Sequence, residues 1–124
     1  MSDDLFNIIY NKSLDLLSRR EHSFKEIKDK LSARFENKKI IESVIEKLSD
    51  NNLVNNTRYA EAYVSARKRK GFGPKKIAFE LSSKGVDESV TNSVIIEEGD
   101  WESAAKLAFS KNSKMAQVLI SKKN

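Results

Sequence analysis

Six cations (Arg67, Lys68, Arg69, Lys70, Lys75 and Lys76) stand between Ala62 and Phe79 with no acid among them. Such side chains stay charged at neutral pH, and a field of this kind attracts polyanions: nucleic acid, a membrane surface or an acidic protein groove. Their placement separates two explanations. Arg67 to Lys70 fall in the last turn of a predicted helix, where the macrodipole favours a cation by about 0.3–1 kcal/mol. A solvated helix end therefore competes with partner binding as their explanation. Lys75 and Lys76 follow Gly73-Pro74 in the first turn of the next helix, where the dipole disfavours them. Local stability does not account for these two, and an anionic partner does. Backbone N–H groups at that helix start would add to an anion site. Phe72, between two glycines, reads equally as a contact aromatic or as a staple for the following helix.

Other candidates carry less. Arg19 and Arg20 are diluted by Glu21 and Glu26, so surface ion pairing is the expectation there. With Arg58, Lys111 and Lys114 they form a secondary partner-binding set. From Ser103 onward there are five lysines and no acid, which either extend the basic surface or belong to a solvated terminus. Trp101 reads as a core wedge and His22, the one histidine, as structural. Catalysis has no foothold. Cysteine is absent, no second His is available for acid–base work, and no Gly-rich loop cradles a phosphate. Glu97, Glu98, Asp100 and Glu102 read as a solvated acidic turn rather than a metal cage. Neither a metal, a cofactor nor enzymatic activity is expected.

The chain of 124 residues carries a net charge of +5. Residues 1–61 hold 11 basic and 11 acidic side chains, while residues 62–124 hold 12 against 7, so the whole excess lies in the second half. Apolar runs of four residues or fewer are far short of the roughly 20 that cross a bilayer. The opening Met-Ser-Asp-Asp lacks the basic-then-apolar order of a signal peptide. A cytoplasmic, membrane-free monomer is expected.

These residues are positioned by a pattern written twice. Windows 17–50 and 67–100 align at a shift of 50 with nine identical pairs in 34. Among them are Arg19/Arg69, Lys25/Lys75, Ile27/Ile77, Leu31/Leu81, Val44/Val94 and Ile45/Ile95. A period of this length signals tandem supersecondary units, each too small to bury its apolar face alone. Helical spacing of Leu5, Ile8, Ile9, Leu14 and Leu17 predicts a first helix over about 4–20. Ser23 with Glu26 is a capping box, and Asn37 caps a third helix carrying Ile40, Ile41, Val44, Ile45 and Leu48. The second unit runs from Tyr59, Ala60, Tyr63 and Val64 to a stop at Gly71. Pro74 then opens a helix with Ile77 and Leu81 inward, Gly85 ends it, and Asp87 caps the next. Residues 114–123 align with 76–85 and begin a third copy. The expected fold is all-α: one helical domain (1–124) of tandem three-helix repeats at 4–55 and 56–98 with a partial repeat at 99–124, forming an elongated, curved array.

The stretches 17–23, 52–64 and above all Ser-Ala-Arg-Lys-Arg-Lys-Gly-Phe-Gly-Pro-Lys-Lys-Ile at 65–77, together with Gly-Asp-Trp at 99–101, resemble the RecX family, regulators of the RecA recombinase. The resemblance covers about residues 10–105. It implies tandem three-helix repeats that bind in the groove of the RecA filament on DNA and restrain its strand exchange and coprotease activities. The C-terminus departs from it, since family members usually carry a longer, strongly basic third repeat. An autonomous helical repeat that binds single- or double-stranded DNA weakly through phosphates requires the same charge. On either reading Arg67, Arg69, Lys75 and Lys76 are expected to form one exposed surface whose neutralisation leaves stability nearly unchanged.

Overall fold

The computed structural model describes residues 2–102. Six α-helices account for them, with no strand among the described residues: α1 (Ser2–Arg19), α2 (Phe24–Arg34), α3 (Lys38–Asp50), α4 (Asn56–Arg69), α5 (Pro74–Ser83) and α6 (Glu88–Glu98). The chain divides into two compact units, residues 1–59 and 60–124, with the boundary inside α4. The all-helical, tandem three-helix expectation holds. The partial repeat expected at 99–124, with Lys111 and Lys114, lies outside the described residues from 103 onward.

In the first unit α2 and α3 begin with side-chain caps. Ser23 Oγ accepts from the Glu26 amide at 3.1 Å while Glu26 Oε1 accepts from the Ser23 amide at 3.2 Å. Two donors that the helix leaves orphaned are thereby satisfied. Asn37 Oδ1 does the same for the Ile40 amide at 3.1 Å, opening α3. Asn55 Oδ1 accepts from the Arg58 amide at 2.9 Å at the start of α4. Between these ends, α1 and α2 both pack on α3. Ile9, Ile27, Leu31, Ile41, Val44, Leu48 and Val54 form the core, all essentially buried. Each such side chain contributes about 1.5–3 kcal/mol on leaving water.

The second unit follows the same plan with different terminal chemistry. α4 stops at Gly71, whose φ of +93° suits a residue without a Cβ. Gly73 is the N-cap of α5 and offers no side-chain cap, and Pro74 fills the first helical position. Ile77 and Leu81 are fully buried, as are Ile27 and Leu31 at the equivalent positions of the first unit. Gly85 closes α5 at φ +79°. Asp87 occupies the N-cap of α6, but its carboxylate makes no cap bond and instead accepts from Ser89 Oγ at 2.5 Å. Trp101 Nε1 donates to the Ile95 carbonyl at 3.0 Å, satisfying an acceptor in the last turn of α6.

Candidate functional site

The cation block divides into two groups once the chain is folded. Arg67 and Lys68 are turned into the second unit. The Arg67 guanidinium grips Glu80 of α5 with Nε to Oε1 at 3.0 Å and Nη2 to Oε2 at 2.9 Å, and Tyr63 Oη donates to the same carboxylate at 2.9 Å. Both side chains of that pair are about one fifth to one quarter exposed. Burial pushes the Glu80 carboxyl up, but the bonds from Arg67 and Tyr63, aided by the charges of Arg67 and Lys76, hold it below its usual value. The Arg67 guanidinium also lies 3.8 Å from the centre of the Phe72 ring. Lys68 donates to the Gly99 carbonyl at 2.6 Å, pairs with Glu98 at 3.7 Å and sits 5.3 Å from the Trp101 ring.

The acid-free neighbourhood expected for the whole block is therefore corrected. It holds along the sequence, but folding brings Glu80 and Glu98 against the two cations that precede Arg69. Arg67 leaves the set of exposed residues whose neutralisation costs nothing. The Phe72 ring lies 3.8 Å from the Arg67 guanidinium and 5.5 Å from the Lys76 ammonium. Arg67, Phe72 and Glu80 together tie the end of α4 to α5.

Arg69, Lys70, Lys75 and Lys76 are exposed. They form no salt bridge among the described residues, and Arg69 donates only to Ser65 Oγ at 2.9 Å. Arg69 ends α4, Lys70 follows in the turn, and Lys75 and Lys76 stand in the first turn of α5. Two like charges thus stand at a helix N-terminus that no carboxylate caps, with two more at the preceding helix end and turn. Within the first turn of α5 no acid is present, so an incoming anion meets both the lysines and the dipole of the helix.

Arg19, Arg20 and Arg58 of the secondary set are used internally. Arg19 pairs with Asp15 at 3.2 Å, and Arg20 grips Glu26 through both nitrogens at 3.1 and 3.2 Å. That ion pairing matches expectation. The Glu26 carboxyl is raised by burial yet held below its usual value by the bonds from Arg20 and the Ser23 amide. Arg58 pairs with Glu21 and donates to the Asn52 carbonyl at 2.9 Å, fastening the first turn of α4 to the loop before α2. Sequence reasoning missed that contact because its partner stands 37 positions away.

His22 is buried at 2% exposure with both ring nitrogens engaged: Nδ1 donates to the Arg20 carbonyl at 3.0 Å and Nε2 accepts from Lys30 Nζ at 2.8 Å. Burial, outweighing the bond to Arg20, lowers its pKa, and the nearby Arg20 and Lys30 charges act in the same direction. Its structural reading stands. Among the described residues no cluster of His, Asp or Glu could hold a metal, and no helix is long and apolar enough to cross a membrane.

The fold and this surface define a class: an all-helical protein of tandem three-helix units with a basic edge on the second. Two family profiles match in order, the first three-helix domain of RecX over residues 10–48 and the second over residues 55–95. This chain belongs to the RecX family. Regulatory protein RecX of Pseudomonas fluorescens is 35% identical over 100 residues, covering 80% of this chain and 64% of its own. That of Xanthomonas axonopodis is 38% identical over 96 residues, covering 77% and 59%. The chain thus spans somewhat less than two thirds of the length of these relatives. The crystal structure of RecX from Lactobacillus salivarius superposes with a TM-score of 0.78 at 29% identity, covering 98% of this chain and 88% of that one.

Proposed function

We propose that this protein is a regulator that binds the RecA–DNA filament and inhibits its recombinase and coprotease activities. The single observation that carries this reading is the set Arg69, Lys70, Lys75 and Lys76: exposed and unbridged among the described residues, with Lys75 and Lys76 in the first turn of α5, where a cation is locally unfavourable. These four cations are the partner-binding face, and Arg67, Lys68 and Phe72 act behind them by fixing α4 against α5. Inside an acidic, DNA-bearing groove they contribute mainly to encounter rate and register. The protein works as a cytoplasmic monomer without a cofactor.

The test replaces Arg69, Lys70, Lys75 and Lys76 together by Gln. Helical content and melting stay nearly intact, because exposed substitutions typically shift stability by under about 0.5 kcal/mol each. Inhibition of RecA-driven ATP hydrolysis and strand exchange on DNA is lost. Equivalent changes at Lys38, Lys39 and Lys47 of the first unit leave inhibition in place. Unchanged inhibition in the four-site variant refutes the reading. Binding to bare DNA as tight as to RecA-coated DNA replaces it with an autonomous phosphate-binding repeat, whose affinity for single strands would fall with log salt at a slope of about −3.

A further inference from the structure

Phe79 is 76% exposed although it lies in the middle of α5, a helix that buries Ile77 and Leu81 completely. It points away from the core, so packing within the unit does not require it. Helical spacing places Lys75 and Lys76 four and three residues before it, and Ser82 and Ser83 three and four after, all as neighbours on that outer face. All four are exposed. The one acid in α5, Glu80, is committed to Arg67 and Tyr63. In the first unit the position equivalent to Phe79 is the exposed Asp29, beside Lys25 and Glu26. The repeat therefore folds with an acid at this place, and the second unit presents an aromatic ring there.

We propose that the outer face of α5 binds single-stranded nucleic acid, with Phe79 stacking on an unpaired base while Lys75 and Lys76 hold the adjacent phosphates. Charge complementarity selects a polyanion, and the exposed ring of Phe79 selects one whose bases are open to stacking. A duplex offers only edges and backbone, whereas every unpaired base presents a flat π-face. The Ser82 hydroxyl supplies a further donor to the backbone, while that of Ser83 is spent on the Glu80 carbonyl at 2.6 Å. This rests on the proposed regulatory reading only in sharing Lys75 and Lys76, and it adds a direct contact with bases that charge alone does not provide.

The experiment compares the full chain on a labelled oligothymidylate and on an abasic strand of equal length and charge, at one salt concentration. The native protein binds the base-bearing strand more tightly by about five- to a hundredfold, the range that one stacked base provides. Phe79→Ala removes that difference and leaves affinity for the abasic strand unchanged, while Phe79→Tyr keeps the preference. Equal affinity of the native protein for both strands overturns the inference, as does a preference that survives in Phe79→Ala. If the native protein binds neither strand yet inhibits RecA on DNA, the base contact is wrong and the regulatory reading stands. If Lys75→Gln with Lys76→Gln inhibits normally, the lysines are not the regulatory face, and the two-strand comparison still decides the role of Phe79. Should Phe79→Ala weaken binding to RecA-coated DNA while the native protein shows no base preference, the ring faces protein and the inference falls.

Discussion

At three equivalent places the two units hold different chemistry in the same backbone frame. Leu17, His22 and Lys30 of the first unit stand where the second has Arg67, Phe72 and Glu80. In the first, the corner before α2 is closed by a neutral imidazole that accepts from Lys30 and donates to a carbonyl, with Leu17 packed on the core. In the second, the corner before α5 is closed by a guanidinium held between Phe72 and Glu80. The cation has moved from the second helix to the first, and a carboxylate has taken its place. Each solution satisfies its own polar groups, as buried or half-buried polar atoms must be. A tandem repeat therefore constrains apolar positions such as Ile27/Ile77 tightly and leaves polar corners open to exchange. The helix starts diverge in the same way. Ser23 and Glu26 cap α2, whereas Gly73 and Lys76 leave α5 uncapped and positively charged.

The comparison is broken most severely at the shared apolar positions. Leu31→Ala and Leu81→Ala should each cost about 2–5 kcal/mol in chemical denaturation, as truncations in packed cores do. A cost below about 1 kcal/mol at either place would mean that the two cores are not equivalent. Next in size, Arg67→Ala strips partners from a half-buried carboxylate and should cost about 1–3 kcal/mol. The corresponding Leu17→Ala removes packing instead and leaves the response to acid of its unit unchanged.

Acid should separate the units in order. His22 has its pKa lowered in the fold, so its stabilising contribution is complete above about pH 6.5, its ordinary value, and is lost as pH falls below that. The Glu80 pair also has a depressed carboxyl, so its contribution persists until pH drops through the lower value that the fold imposes. On acidification from neutrality, amide exchange should therefore quicken first around α2 and only later around α5. The His22 imidazole, followed by NMR, should titrate below 6.5. Titration at or above that value would remove the basis of the ordering.

Two smaller effects sharpen the contrast. Thr91 is buried where the first unit has Ile41, and its hydroxyl finds no hydrogen-bond partner among the described residues. Thr91→Val keeps the shape and removes the stranded oxygen, so stability should rise by about 1 kcal/mol; a loss would mean that the hydroxyl is satisfied in solution. Smallest of all, Lys75→Glu should gain about 0.3–1 kcal/mol by matching the dipole of α5 and, on the proposed regulatory reading, weaken inhibition of the filament. A variant that is no more stable than the parent would show that Lys75 is not opposed by its helix.

Much of the fold could be read from local chemistry. The capping box at Ser23 and Glu26, the Asn37 cap, Pro74 after Gly73 and the stops at Gly71 and Gly85 are decided within four or five residues, a range over which the chain carries its own instructions. The burial of Ile27, Leu31, Ile77 and Leu81 followed from helical period and from the repeat. So did the location of the excess positive charge and the presence of two units. Tertiary structure alone decided which of those cations are available. Glu80 lies 13 residues from Arg67, Gly99 lies 31 from Lys68, and Glu21 lies 37 from Arg58. No periodicity links such pairs, because a side chain long enough to reach across two helices selects its partner only after the helices have packed. Phe79 stands two residues from both Ile77 and Leu81, so helical period sets it off their stripe, and the packed fold leaves it 76% exposed.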